Sequence, residues 1–473
     1  MKKLFWLATA AIVLAGCSQN SEFEEAQKVK DLGTAIAFDT YAGKAPVVKA
    51  GYKNDLTTAT LKEAEAGFGV FAYYTKTDNY NSTQKPDYMY DEKVTWDGSA
   101  WTYSPVKYWP NDNNPADNKG AEGTVTNSLV SFFAYGPYVE FDPTTGIAEG
   151  CTETGGVVKR GAVEETGITK VSIKNSETGD PVISYVLDKE KSVDLLWGTR
   201  GKGTYTEADG TSNTVDITDG KQVNKDLAKQ TKDEKVNFLF KHALAQIGGV
   251  KGGSASSGLQ IIADVDALEG GTLASETVIT LKSVTIEGTD AATLDAGGIV
   301  KNGTFNLVTG KWTLGTDMLE GFKHEVTTTT TDAAGNLTMN EVLREPATVA
   351  TGGTNLPTGV TTTAQDIYQS GAKVSPMVFL PGSQPKLKVT VEYVIRTKDS
   401  KVENGYSEAS QKITKTIQLG AKIEVNKQYN LLLRLGLTSI KFEATVSDWE
   451  KGEYTDATGT HDNVPVHLPI NVE

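Results

Sequence analysis

A two-residue alternation of apolar and polar side chains constrains this chain most. Leu387, Val389, Val391, Tyr393 and Ile395 alternate with Lys388, Thr390, Glu392, Val394 and Arg396. Ile440, Phe442, Ala444 and Val446 alternate with Lys441, Glu443, Thr445 and Ser447. A strand turns successive side chains to opposite faces, so this period sets one face on a core and the other in water. Antiparallel sheets carry that pattern. Two stretches are instead almost continuously apolar, Gly69-Val70-Phe71-Ala72-Tyr73-Tyr74 and Val130-Ser131-Phe132-Phe133-Ala134-Tyr135. Such runs suit strands covered on both faces. The segment from Thr304 to Leu314 reads as two strands about a Thr309-Gly310 turn.

Helical signals are few. Asp55 to Ala66 suits one short helix, and Val236 to Ile247 begins as a strand and bends at its Ala-rich end. Glycine numbers 47 of 473 residues, above the usual ~7%, which favours turns over long helices. The expected class is all-β, with short strands stacked as β-sandwiches joined by long polar loops. Apolar periodicity lapses longest across 200–235, which places a domain boundary there. The expected organisation is a signal at 1–16, a leader at 17–33, an N-terminal sandwich at 34–235 and a C-terminal one at 236–473.

The first residues read MKKLFWLATAAIVLAGC. Lys2 and Lys3 form a positive region, Leu4 to Leu14 an apolar one too short to span a bilayer. Leu14-Ala15-Gly16-Cys17 then resembles a bacterial lipobox, with Cys17 as the thiol that takes the lipid. An ordinary signal peptide with a chance cysteine is the alternative. Acyl chains at Cys17 would hold the chain to a membrane surface. Cys151, the other cysteine, then has no partner and reads as a loop residue.

No motif in the chain carries recognisable catalysis. There is no GxxxxGK[ST] loop, no HExxH, no paired CxxC and no GxSxG. His242, His324, His461 and His467 are scattered, which leaves no metal signature. Asp112 and Asp117, which lack the ligand order of an EF-hand, read either as calcium ligands or as an Asx-rich surface loop, and Asp264, Asp266 and Glu269 carry the same two readings. The expectation is a non-enzyme without cofactor or metal. With 46 basic against 60 acidic residues the formal charge is −14, which excludes a phosphate-seeking nucleic-acid binder. Trp96, Trp101, Tyr103, Tyr108 and Trp109 read either as core and rim or as a platform for sugars.

Together, several motifs form an ordered series. They are Ile36-Ala37-Phe38-Asp39-Thr40, the Gly67–Tyr73 run, Trp101–Pro110 (WTYSPVKYWP), Val130–Pro137, Asp194–Trp197, Val236–Leu244, Tyr429–Leu433 and Phe442–Trp449. This series resembles the fimbrillin family of Bacteroidetes surface lipoproteins, the type V pilins and their minor-fimbrium-like relatives. The resemblance implies two tandem transthyretin-like antiparallel β-sandwiches and a surface-exposed fimbrium on the cell outer membrane. It also implies a lipid-anchored precursor from which a protease removes an N-terminal strand, so that a strand of another subunit fills the groove. Expected partners are other fimbrial subunits, the outer membrane through the anchor, and a host glycan or protein. A stand-alone surface lipoprotein is the second reading.

The alternation makes Ile36 and Phe38 the apolar face of the strand to be removed. Lys44 and Lys49, each followed by alanine, are the candidate processing sites; no arginine precedes Arg160, unlike the arginine cut of the best-known members, so either a lysine-tolerant protease cuts after one of them or no cut occurs. At the far end Val464, Val466, Leu468, Ile470 and Val472 share one face. They form either a donor strand for a neighbour or a terminal strand folding back on its own domain.

Overall fold

The computed structural model describes residues 34–41, 58–63, 66–76, 78–110, 128–189, 192–215, 222–230, 234–251, 254–256, 259–263, 277–327, 330–331, 337–339, 365–369, 377–399, 401–402, 405–436, 440–448, 454–456, 459–461, 466–468 and 470–472. The fold is all-β. Among the described residues the one helix is a single turn, Thr58–Leu61, inside the expected helical stretch.

In chain order the N-terminal lobe carries β1 (Phe38–Tyr41), β2 (Phe68–Lys76), β3 (Met89–Trp96), β4 (Trp101–Thr102), β5 (Leu129–Gly136), β6 (Gly167–Val171), β7 (Val182–Val186), β8 (Leu196–Arg200) and β9 (Val236–His242). The main sheet runs β1-β9-β8-β5-β2-β3-β4, with Asn224–Leu227 also pairing β5. Both of its faces are covered, as the continuous apolar runs require. Val70, Ala72, Val130 and Phe132 turn to one core with Phe68 and Phe238. Phe71, Tyr73, Phe133 and Tyr135 turn to a second core with Ile183, Tyr185 and Phe305.

The C-terminal lobe adds β10 (Ala245–Ile247), β11 (Leu259–Ala263), β12 (Thr277–Gly288), β13 (Asn302–Asn306), β14 (Lys311–Leu314), β15 (Met377–Phe379), β16 (Lys386–Lys398), β17 (Tyr406–Leu419), β18 (Lys427–Leu435), β19 (Ile440–Asp448), β20 (Val466–Leu468) and β21 (Ile470–Val472). One sheet is built on β18, flanked by β10 and β11 in parallel and by β19 antiparallel. The facing sheet runs Lys323–Thr327, β12, β16, β17, β21, all antiparallel. Leu387, Val389, Val391 and Tyr393 of β16 face Leu431, Leu433, Phe442 and Ala444 in the third core. Leu387, Val389, Val391, Tyr393, Phe442 and Ala444 are residues whose alternation marked them as inward.

The lobes do not divide at 235/236. β9 lies between β1 and β8 of the N-terminal sheet, so that sheet ends at His242. Moreover β13 and β14, from beyond the boundary, pair with β7 and β6 in a sheet ordered β14-β13-β7-β6. The turn expected at Thr309-Gly310 joins these two strands. Its reach into the other lobe is not visible in a local pattern, because pairing register says nothing of which sheet a hairpin joins. Trp197 Nε1 donates to Leu307 O at 2.8 Å, and Trp312 Nε1 to Ala243 O at 2.6 Å. The two lobes therefore share a core.

Candidate assembly site at the chain ends

The N-terminal strand closes the main sheet. Phe38 to Tyr41 pair in parallel with Val236 to Leu239. Just upstream, Ala35 bridges Tyr108 antiparallel. The amide of Ile36 donates to Lys107 O at 2.9 Å and that of Trp109 to Thr34 O at 2.8 Å. On the other side Val236 N donates to Ala37 O at 2.9 Å. Even-numbered residues thus bond to the 107–109 stretch and Ala37 to β9. One short segment thus bridges the 107–109 stretch and the edge of β9. Tyr103 adds a side-chain clasp: its hydroxyl donates to Ile36 O at 2.9 Å and accepts from Lys107 N at 3.2 Å. Burial pushes the Tyr103 phenol up to about 12, so it remains a donor at any physiological pH.

Ile36 and Phe38 point inward, at 2% and 1% exposure. The Phe38 ring sits among Tyr103, Phe132, Phe238 and Phe68, with centroids 5.4, 5.9, 5.9 and 6.3 Å away. These are edge-to-face, tilted and stacked arrangements that add to plain burial. Thr40 is the next inward position, and its buried Oγ1 has no hydrogen-bond partner. Burying Ile36 and Phe38 contributes about 1.5–3 kcal/mol each. Without this strand, β9 and the 107–109 stretch face one another across an apolar groove.

At the other terminus β20 pairs antiparallel with β19, matching Leu468 to Ala444 and Val466 to Val446. β21 pairs antiparallel with β17, matching Ile470 to Leu419 and Val472 to Ile417. The tail thus crosses from one sheet of the C-terminal sandwich to the other, folded back on its own domain. Ile470 is half-buried against the core and Val472 is 46% exposed. Ile417 and Leu419 beside it also line a small apolar cavity with Ile247, Leu387 and Leu431.

Cys17, Lys44, Lys49 and Val464 lie outside the described residues, as do Asp112, Asp117, Asp264, Asp266 and Glu269. Trp101 and Trp109 are buried, and Trp96 packs on Trp101 from the rim with Lys62 Nζ 3.7 Å above its ring. The aromatic cluster is core and rim, not an open platform. Cys151 is half-buried, its Sγ 3.6 Å from Glu165 Oε2. Burial and the Glu165 carboxylate raise its pKa, which disfavours the thiolate. Among the described residues no three His, Cys, Asp or Glu side chains gather as metal ligands. His242 Nδ1 lies 2.7 Å from Asp194 Oδ2, both buried. The pair sits at the end of β9, where His242 N donates to Asn426 Oδ1 at 3.3 Å. Nothing in the spacing of the histidines announces it. The Tyr103 clasp and the unpartnered Thr40 hydroxyl are likewise features of the closed groove that no linear motif carries.

These features define an all-β protein of two interlocked lobes, with one terminal strand sealing a groove and the other terminus straddling two sheet edges. No protein-family model matches the chain. It is 30% identical over 252 residues to fimbrium subunit Fim1C of Phocaeicola vulgatus, an alignment covering 53% of this chain and 51% of that one. The chain thus spans about half the length of this curated relative. A crystal structure of a fimbrial protein from Bacteroides vulgatus superposes with a TM-score of 0.52 at 18% identity, covering 88% of this chain and 99% of that one. That likeness establishes shared fold alone. Together these findings support the fimbrillin resemblance read from the motifs.

Proposed function

We propose that this chain is a structural subunit of a cell-surface fimbrium that polymerises by donor-strand exchange. On this reading it is exported as a lipoprotein anchored through Cys17 and then cut after Lys44 or Lys49. Loss of residues 34–41 opens the groove between β9 and the 107–109 stretch. The apolar face of a neighbour's terminal strand then fills it. The observation that carries this reading is the closing strand itself. Ile36 and Phe38 are buried in the N-terminal core, yet the segment that bears them is four residues of strand with one short bridge upstream. A fimbrial relative over half the chain supports the same reading.

The tail must leave its own domain to act as a donor. Its two strands are three residues each, and Val472 is already exposed. Deleting residues 464–473 should abolish SDS-resistant ladders on mildly heated gels while leaving a cooperative unfolding transition. Unchanged ladders in the truncated protein would sink the donor role.

A further inference from the structure

The pocket that Phe38 fills specifies the strand that can replace it, an inference that rests on the donor-strand reading. Ring centroids at 5.4–6.3 Å surround Phe38. Phe68, Phe132 and Phe238 are buried to within 1%. A site walled by large, close-packed rings cannot collapse onto a smaller side chain, and the resulting void costs stability. Two residues upstream Ile36 occupies an aliphatic position, and two residues downstream the buried Thr40 Oγ1 has no partner. A hydroxyl left unpaired in a core is a penalty that an aliphatic side chain would remove.

The groove therefore reads as aliphatic, aromatic, aliphatic at alternate positions, a pattern that holds for either strand polarity. The tail of this chain does not match it. Its alternate apolar residues are Val464, Val466, Leu468, Ile470 and Val472, with no aromatic among them. The geometry points to a heterologous donor. The groove takes an extended segment from a different subunit, with Phe, Tyr or Trp flanked by aliphatic residues two positions away on each side. The tail of this chain then serves an acceptor whose central pocket is aliphatic. Self-polymerisation is disfavoured by the same void that a Phe-to-Leu exchange would leave.

The test uses the full chain with one specific protease site introduced between Tyr41 and Thr58, cut after folding. Native mass spectrometry follows displacement of the N-terminal fragment by added peptides. A peptide of residues 464–473 is compared with the same peptide bearing Leu468→Phe, and with a peptide of residues 34–41 as the positive control. The aromatic peptide should reach half-displacement at about tenfold lower concentration than the native tail, equivalent to about 1.4 kcal/mol. Equal displacement, or preference for the native tail, overturns the specificity and leaves strand exchange standing. If no peptide enters, including that of residues 34–41, the groove does not exchange, and both the specificity and the donor-strand reading fall.

Discussion

Phe38 concentrates the behaviour of the N-terminal lobe in one side chain. Its ring touches three strands and the Tyr103 clasp. Phe38→Ala should cost about 3–5 kcal/mol in urea unfolding, the range for a buried Phe-to-Ala change. A loss below 1 kcal/mol would mean that the strand is not seated as described. A second residue makes the lobe pH-sensitive. Asp91 is 6% exposed; it accepts from Tyr135 Oη at 2.6 Å and from Phe141 N at 2.9 Å. Burial raises its pKa well above the usual carboxylate range, and the two hydrogen bonds offset this only in part. A raised carboxylate pKa means that the folded state holds the proton more tightly than the unfolded chain. The stability it contributes is present below the unfolded value of about 4 and is lost as pH rises through the folded one. The melting temperature of wild type minus that of Asp91→Asn should therefore fall as pH rises from 3.5 toward 8. A flat or rising difference would contradict this. The inward direction of Ile36 and Phe38 was legible in the alternation. The pocket around Phe38 was not, because its walls come from residues 30 to 200 positions away.

At the scale of elements, strands were the readable part. The alternation in β16 and β19 and the apolar runs in β2 and β5 each marked a real strand and its buried face. Pairing partners were not readable, since a period of two fixes faces but not neighbours. Hence the hairpin β13–β14 turns out to complete the sheet of β6 and β7, and the tail switches sheets between Leu468 and Ile470. The hairpin depends on Gly310. Its φ of +64° is costly for other residues, and a Cβ there would lie 2.3 Å from Trp197. Gly310→Val should lower stability by roughly 2–4 kcal/mol through backbone strain and overpacking. Limited proteolysis should then cut near the lobe junction faster. Wild-type stability and cutting rates would show that the hairpin does not clasp the lobes.

Over the whole molecule, a continuous series of paired strands connects the groove edge to the tail. The groove edge β9 runs through Ala243 and Leu244, both fully buried, into β10. β10 pairs with β18, β18 with β19, and β19 with β20 of the tail. This interlocking explains why a division into two independent sandwiches at residue 235 could not describe the chain. The surplus of 14 negative charges favours solubility and disfavours non-specific association.

If strands exchange as proposed, the closing strand is absent from the assembled form. Intact-mass measurement of subunits sheared from cells as fimbriae decides it. Chains from the fimbriae should begin at Ala45 or Ala50 and lack residues 34–41. Polymerised subunits that retain Ile36 and Phe38 on an acylated Cys17 would contradict it.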